Sequence, residues 1–338
     1  MKTKIILLSF VIIVLFCLNL FMGSVSIPLA DTIDILLGKD TTNASYAFII
    51  LDNRSPQALT ALLCGAALSV SGLLLQTLFQ NPLAGPSLLG INSGANLGVA
   101  IVMLATGGVI SISSTNISGL AAIICAAMVG SMLVMILLLF LSSFLRSNLS
   151  LLITGIMIGY LTSSAISLLN YFSTSEGVHN YVLWGMGNFS GVSMDNMPYF
   201  SILCIIGIIC AVLMIKPLNA LLLGVYYAEN LGFNIRRTRI ILLLITGLLT
   251  AVTTAFCGPI AFIGLAVPHI ARLILRGNNH TRLLPLTILC GGVIALLCNL
   301  ICTFPSSGTI IPLNAVTPLF GAPVIIYLCF SAYGRSSW

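Results

Sequence analysis

The sequence predicts an all-α fold: a polytopic membrane protein with about ten transmembrane helices. Hydrophobic residues make up 59% of the 338 residues and charged residues only 6%, against roughly 25% charged in soluble domains. The apolar runs are long and continuous, whereas a β-barrel needs short alternating segments. Because such a chain can bury its apolar surface only in lipid, the water-soluble classes are excluded.

Ten apolar runs approach the roughly 20 residues that cross a bilayer core of about 30 Å. The predicted spans are residues 5–27, 56–79, 86–106, 117–141, 149–172, 199–215, 240–257, 258–275, 283–303 and 312–330. Only Gly258 and Pro259 separate the seventh span from the eighth, which predicts a short or broken eighth helix. Lys2 and Lys4 precede the first run as in a signal peptide, but the nine later spans and the lack of a small-residue cleavage site favour an uncleaved helix.

The basic residues predict the orientation of these spans. With the N-terminus in the cytoplasm, 11 of the 13 Lys and Arg residues fall on the cytoplasmic side. They are Lys2, Lys4, Arg146, Lys216, Arg236, Arg237, Arg239, Arg272, Arg276, Arg282 and Arg335. Lys39 and Arg54 remain outside, so both termini are predicted to be cytoplasmic. The net charge of +6 therefore reflects topology and does not indicate nucleic-acid binding.

The sequence contains no arrangement of residues that is typical of an enzyme active site. No phosphate-binding GxxxxGK[ST] motif occurs, so ATP hydrolysis by that route would need a separate subunit. The spans contain no paired acids, histidine cluster or activated serine, and we expect neither catalysis nor a cofactor. The ten cysteines form no CxxC pair, so we interpret them as small packing residues, with a disulfide framework or a metal site as the alternative.

Three cytoplasmic segments combine polar groups with helix-breaking residues. In 80–98, QNPLAGPSLLGINSGANLG, the residues Asn81, Pro82 and Pro86 predict a structured turn before a tightly packed helix, or else a plain loop. The segment 219–239 predicts two short helices at the membrane surface, which either anchor to anionic lipid or dock a cytoplasmic partner.

The third segment is GPIAFIGLAVPHIARL, residues 258–273. Pro268 frees backbone groups, and we expect His269 to hydrogen-bond such backbone while Arg272 extends to the surface or contacts the 219–235 loop. No other metal-ligating residue lies nearby, so His269 is a poor candidate for a metal ligand.

The order and spacing of several motifs carry a resemblance. They are RSPQ at 54–57, QNPLAGPSLLG, WGMGNF at 184–189, AENLG within the 219–239 segment, GPIAFIGLAVPHIAR followed by HTRLLP, and FGAPVIIYL at 320–328. Together they resemble the FecCD/BtuC-type permease family of ABC importers for iron–siderophore, haem and cobalamin, over about residues 25–330. The resemblance implies a BtuC-like ABC importer permease fold in the bacterial inner membrane, as one transmembrane domain.

The resemblance also implies partners. Two cytoplasmic ATP-binding subunits, an extracytoplasmic substrate-binding protein and a second permease copy or paralogue are expected. The cargo would be a bulky metal chelate, with iron–siderophore favoured by the breadth of the family and haem or cobalamin as alternatives.

Residue roles follow from the same resemblance. The 219–235 loop would couple to the ATPase through Leu222, Leu223, Ala228, Leu231, Gly232, Arg236 and Arg237. Ser147, Asn148 and Leu149 match the region where relatives narrow the cytoplasmic end of the pathway, although an ordinary short loop is the alternative. Pro268, His269 and Arg272 would lie beside the coupling loop.

On the outer side, Arg54, Gln57 and Thr303 would face the binding protein. Several charges of the family pattern are missing here: Val225, Gln57, Asn299 and Thr303 occupy positions that carry charged residues in relatives. We therefore expect docking with few salt bridges.

An ion-coupled secondary transporter is the alternative function. The segments QNPLAGPSLLG and GPIAFIGLAV each follow an apolar span, as the halves of an internal repeat would. The spans contain no Asp, Glu or Lys to relay ions, which argues against it.

Overall fold

The computed structural model describes residues 2–39, 44–105, 119–145, 147–304 and 311–333, and these residues form helices and loops without a strand. The fifteen α-helices are α1 (Lys2–Phe21), α2 (Leu29–Leu36), α3 (Ala44–Phe48), α4 (Ser55–Phe79), α5 (Ile91–Ala105), α6 (Gly119–Phe144), α7 (Asn148–Phe172), α8 (Ser175–Gly185), α9 (Met197–Leu213), α10 (Ile215–Leu221), α11 (Val225–Asn230), α12 (Ile235–Cys257), α13 (Ile263–Leu275), α14 (His280–Thr303) and α15 (Leu313–Tyr333). A π-helical turn, Ile49–Arg54, leads into α4, and a 3₁₀ turn, Pro86–Leu89, leads into α5.

The predicted all-α membrane fold is confirmed. Among the described residues, six helices are long and apolar enough to cross a bilayer, and α9 with α10 forms a seventh candidate, bent by 53°. The apolar helices α5, α13 and α15 are shorter. These ten agree in number with the ten predicted spans, but the first helix ends at Phe21 and not at residue 27. The third span begins with a 3₁₀ turn, and its end at 106, like the start of the fourth at 117, lies outside the described residues.

Helix α4 lies at the centre of the bundle and packs against α9, α12, α13 and α14. Glycines allow two of these contacts to be made backbone to backbone. A Cβ atom at Gly65 or at Gly291 would overlap the carbonyl group of the other residue, and one at Gly72 would overlap that of Gly264. Because helix association in lipid depends on close packing, these glycines join α4 to α14 and to α13.

Buried hydroxyl groups add polar contacts within the same core. Ser71 of α4 and Thr250 of α12 lie 3.0 Å apart, oxygen to oxygen, and Ser69 donates to the Thr287 carbonyl at 3.1 Å. Six of the cysteines are buried in packed helices: Cys64, Cys204, Cys257, Cys290, Cys298 and Cys302.

The predicted break between the seventh and eighth spans is confirmed. The backbone from Gly258 to Phe262 is not helical, and Phe262 has a φ of +66°. Asn314 of α15 donates to the Pro259 carbonyl at 2.6 Å and accepts from the Ala261 N–H at 3.1 Å. Irregular backbone at membrane depth is tolerated where protein groups pair with it, and Asn314 provides this pairing.

Candidate functional site

One end of the bundle, which we call the basic face, holds most of the residues singled out from the sequence. It comprises the start of α1, the end of α4 with the 80–85 turn, the segment α10–α11, and the α13–α14 connection. Lys4 of α1 donates to the Ile274 carbonyl at 2.6 Å, which brings the N-terminus to this end. A cavity of about 530 Å³ opens here. Its lining is Gln76, Thr77, Gln80, Asn81, Pro82, Leu221, Leu222, Leu223, Gly224, Arg272 and Asn278.

A polar cluster beside this cavity joins α4, the 80–85 turn and α13. Arg272 donates to the side-chain oxygen of Gln76 at 2.5 Å, and Gln76 donates to the Leu265 carbonyl at 3.0 Å. His269 is 3% exposed and donates from Nε2 to the Pro82 carbonyl at 2.7 Å. The histidine thus pairs with backbone, as expected, but with the turn after α4 and not with backbone freed by Pro268.

A second cluster joins α4, α10 and α14, and sequence reasoning missed it. His280 is 1% exposed, and its Nε2 lies 2.9 Å from the Thr77 hydroxyl oxygen. The side-chain oxygen of Asn219 accepts from the His280 backbone N–H at 2.8 Å and lies 3.1 Å from its Nδ1. His280 opens the HTRLLP motif used for the resemblance, directly after the helix-capping Asn279, so its position just inside a helix start was the available signal.

The predicted coupling segment is largely exposed at the basic face. Leu222, Leu223 and Leu231 are 44%, 63% and 60% exposed. Gly232, Arg236 and Arg237 are exposed as well. Ala228, by contrast, lies on the inward face of α11 and is fully buried, so it cannot contact a partner. The most exposed large hydrophobic side chain of the segment is Tyr226 at 82%, followed by the adjacent Tyr227 at 65%. Both tyrosines were absent from the predicted set.

The other predicted positions at this end are placed as follows. Asn81 accepts from the Leu83 N–H at 2.9 Å and so forms the turn, which is structured as expected. Pro86 starts the 3₁₀ turn and packs on Gly264 of α13. Ser147 is exposed at the start of α7, Asn148 is the first residue of that helix, and Leu149 is 63% exposed. Arg146 and Arg335 lie outside the described residues.

The opposite end of the bundle places Arg54 differently from expectation. Its side chain is 6% exposed and donates to the carbonyls of Leu20, at 2.9 Å, and Phe21, at 3.0 Å, with Val25 as a third acceptor. The Leu20 and Phe21 carbonyls end α1, where the helix dipole is negative and acceptors lack intrahelical partners. Arg54 is therefore used within the subunit, and it is not the exposed cation that docking by a salt bridge requires.

Neutral amides surround this arginine. Gln57 donates to Asn299 at 3.0 Å, and Asn299 donates to Asn19 at 2.8 Å, which links α4, α14 and α1. Thr303 is 8% exposed and donates to the Asn299 carbonyl at 3.0 Å. Gln57, Asn299 and Asn19 thus form an internal amide chain beside a cavity of about 160 Å³.

Comparison with known proteins decides the family. The profile of the FecCD transport family matches residues 11–331, nearly the whole chain. The chain belongs to the FecCD transport family. Among its relatives is the vitamin B12 import system permease protein BtuC of Klebsiella pneumoniae, which is 36% identical over 297 residues, covering 87% of this chain and 86% of the relative. BtuC of Salmonella typhi is 36% identical over 293 residues, covering 86% of both chains.

A solved structure extends the FecCD comparison to three dimensions. It shows an inward-facing conformation of a metal-chelate type ABC transporter, with a TM-score of 0.84 and 27% identity, and the match covers 98% of this chain and 100% of that chain. This FecCD-family protein is therefore a permease subunit of the ABC importer type, built as a multi-pass membrane protein. The family is one of transport subunits, which agrees with the expected lack of an enzyme function.

Proposed function

We propose that this protein is the membrane-spanning subunit of an ATP-driven importer that moves a bulky metal chelate from an external binding protein into the cytoplasm. The observation that carries the proposal is the near full-length similarity to the vitamin B12 permeases, together with the fold of the metal-chelate type transporter. The class of cargo is a metal held by a large organic ligand. Iron–siderophore remains the cargo predicted from the sequence, and the names of the relatives make cobalamin the first cargo to compare with it.

The proposed assembly contains two permease subunits, identical or paralogous, and two ATP-binding subunits. The basic face is the cytoplasmic side in this proposal, with both termini there, because its Lys and Arg residues follow the positive-inside rule. The ATP-binding subunits dock on the α10–α11 segment, where Leu223, Tyr226 and Leu231 present apolar area to water. Arg236 and Arg237 flank that area and offer charge to an acidic partner surface.

In this proposal, ATP binding and hydrolysis move the ATP-binding subunits. That movement tilts the helices that are hydrogen-bonded to one another at the basic face. The Gln76–Arg272 and His269–Pro82 contacts make α4, its following turn and α13 one unit at this end. Alternating access results when such units rotate as rigid bodies about packed interfaces. Ser147 and Leu149, exposed at the start of α7, are proposed to border the cytoplasmic exit.

The test is reconstitution with partners. The protein is purified with its ATP-binding subunits and binding protein, placed in proteoliposomes, and supplied with iron–siderophore, haem or cobalamin. The expected result is uptake of one class of chelate that needs ATP and continues after an ionophore collapses ion gradients. Uptake that needs the gradient and no ATP would establish the secondary transporter instead.

A further inference from the structure

Three residues connect the coupling segment to the centre of the bundle by hydrogen bonds. They are Asn219 on α10, His280 at the start of α14, and Thr77 near the end of α4. Asn219 accepts from both the backbone N–H and the ring of His280, and the other ring nitrogen meets the Thr77 hydroxyl. Because an amide oxygen only accepts, the Nδ1 of His280 carries a proton. In the neutral ring Nε2 is then an acceptor, and the single Thr77 hydroxyl proton is shared between Nε2 and the Leu73 carbonyl, each 2.9 Å from the hydroxyl oxygen.

The same end of α10 is held to α4 and α14 by further contacts. Gln80, just after α4, donates to the Leu221 carbonyl at 3.2 Å. The Asn219 side-chain nitrogen donates to Asn279 at 3.3 Å, within the connection that precedes α14. Helix α10 also packs against both α4 and α14.

Helices α4 and α14 in turn contact each other over most of their length, with Gly65 against Gly291 and Ser69 donating to the Thr287 carbonyl. They are joined by backbone-to-backbone packing, so a displacement at the ends of these two helices is carried by both. By contrast, Tyr226 and Tyr227 on α11 are mostly exposed, and the loop between α11 and α12 contains Gly232, with a φ of +86°.

We propose that Asn219, His280 and Thr77 are positioning residues that pass the movement of the coupling segment to the α4–α14 pair. The inference rests on the proposed function, since it takes the α10–α11 segment as the docking site of the ATP-binding subunits. In this role the three residues act through α4 and α14, by holding α10 in place. They form a hydrogen-bonded strut through which ATP-driven movement of α11 reaches the centre of the permease without first passing through α12.

The test uses the complete complex in proteoliposomes and measures cargo imported per ATP hydrolysed. Asn219→Leu and Thr77→Val remove the hydrogen bonds with little change in volume, while Asn219→Asp keeps the accepting oxygen. The exposed Arg282, in the first turn of α14 and outside the cavity lining, provides the control Arg282→Gln. We expect Asn219→Leu and Thr77→Val to lower cargo per ATP by a factor on the order of five to ten, as loss of a buried hydrogen bond predicts.

The conservative and double variants distinguish a strut from simple packing. Asn219→Asp and Arg282→Gln should keep the wild-type ratio, and the Asn219→Leu/Thr77→Val double variant should lose no more than either single variant. Wild-type cargo per ATP in both Asn219→Leu and Thr77→Val, with the ATPase still bound, would overturn the strut. If Asn219→Leu does not fold, Thr77→Val decides.

The same experiment separates this inference from the proposed function. A wild-type protein that binds no ATPase, or that imports without ATP, contradicts the importer itself. A wild-type protein that couples normally, with variants that couple equally well, contradicts only the strut.

Discussion

The guanidinium group of Arg272 donates to the side-chain oxygen of Gln76 at 2.5 Å, which joins the cytoplasm-proximal part of α13 to the end of α4 in the proposed orientation. Three residues before Arg272 on α13, His269 donates a hydrogen bond to the Pro82 carbonyl. Two side chains on one face of α13 thus hold the last turn of α4 and the turn that follows it.

Gln76→Leu should therefore weaken the protein and its coupled transport. The substitution keeps the volume but leaves the Arg272 cation without its side-chain acceptor, at a cost of about 1.5–3 kcal/mol for a hydrogen bond to a charged group. Thermal unfolding in detergent should show a lower midpoint, and ATP-dependent uptake should fall. Arg276→Gln, in the exposed connection after α13, serves as the control and should behave like the wild type.

His269→Ala tests whether this end of α13 acts in coupling or in cargo capture. The Pro82 carbonyl would lose its donor and the turn after α4 would loosen, so we expect reduced ATP-dependent uptake with normal binding of the loaded binding protein. Binding is measured by co-sedimentation with proteoliposomes and uptake with labelled cargo. Loss of binding with intact ATP coupling would show that the histidine serves the other side of the membrane.

The exposed apolar residues of the coupling segment should determine ATPase association. Leu223→Ser and Tyr226→Ser remove contact area that is exposed in the isolated subunit, so they should weaken co-purification of the ATPase at least tenfold, the effect of about 1.4 kcal/mol. Tyr199→Ser changes a side chain of similar exposure at the start of α9 and should leave co-purification unchanged. Equal loss in all three variants would indicate a general folding defect.

Gly72→Ala should destabilise the bundle because its Cβ atom would overlap the Gly264 carbonyl group. Separating α4 from α13 to accommodate one methyl group costs about 1–3 kcal/mol, typical of overpacking. The midpoint of thermal unfolding in detergent measures the effect. Gly277→Ala is the matched control, since a Cβ atom there meets open space; if both variants unfold alike, the close approach of α4 and α13 is not limiting.

Asn314→Leu should destabilise the interrupted region between α12 and α13. The substitution leaves the Ala261 N–H and the Pro259 carbonyl without partners, and each unpaired buried group costs about 1–3 kcal/mol. We expect a lower unfolding midpoint and faster proteolysis within residues 258–262. Asn53→Leu, at an exposed position of the opposite end, should change neither quantity.

Hydropathy was sufficient to predict the spans because the bilayer fixes both the length and the polarity of a helix that crosses it. The break at Gly258–Pro259 was equally visible, since two helix-breaking residues interrupt one apolar run. The two short helices α10 and α11 also followed, because an apolar run with a glycine and a basic cluster suits a membrane surface.

The partners of Arg54 were not predictable in the same way. Its acceptors are backbone carbonyls at the end of α1, and a carbonyl group carries no sequence signal. The pairing of His280 with Asn219 joins residues far apart in the chain, and only the packing of α10 on α14 brings them together. The burial of Ala228 and the exposure of Tyr226 depend on which face of a six-residue helix packs inward.

Asn314 has a consequence for the order in which the chain is made. Residues 258–262 leave the ribosome well before residue 314, so the Pro259 carbonyl and the Ala261 N–H lack their Asn314 partner until the last helix has been synthesised and inserted. During this interval the nascent protein carries, at membrane depth, two polar backbone groups that pair with α15 in the folded protein. A chain cut short before α15 should therefore be recognised and degraded by membrane quality control, even though nine of the ten predicted spans are present.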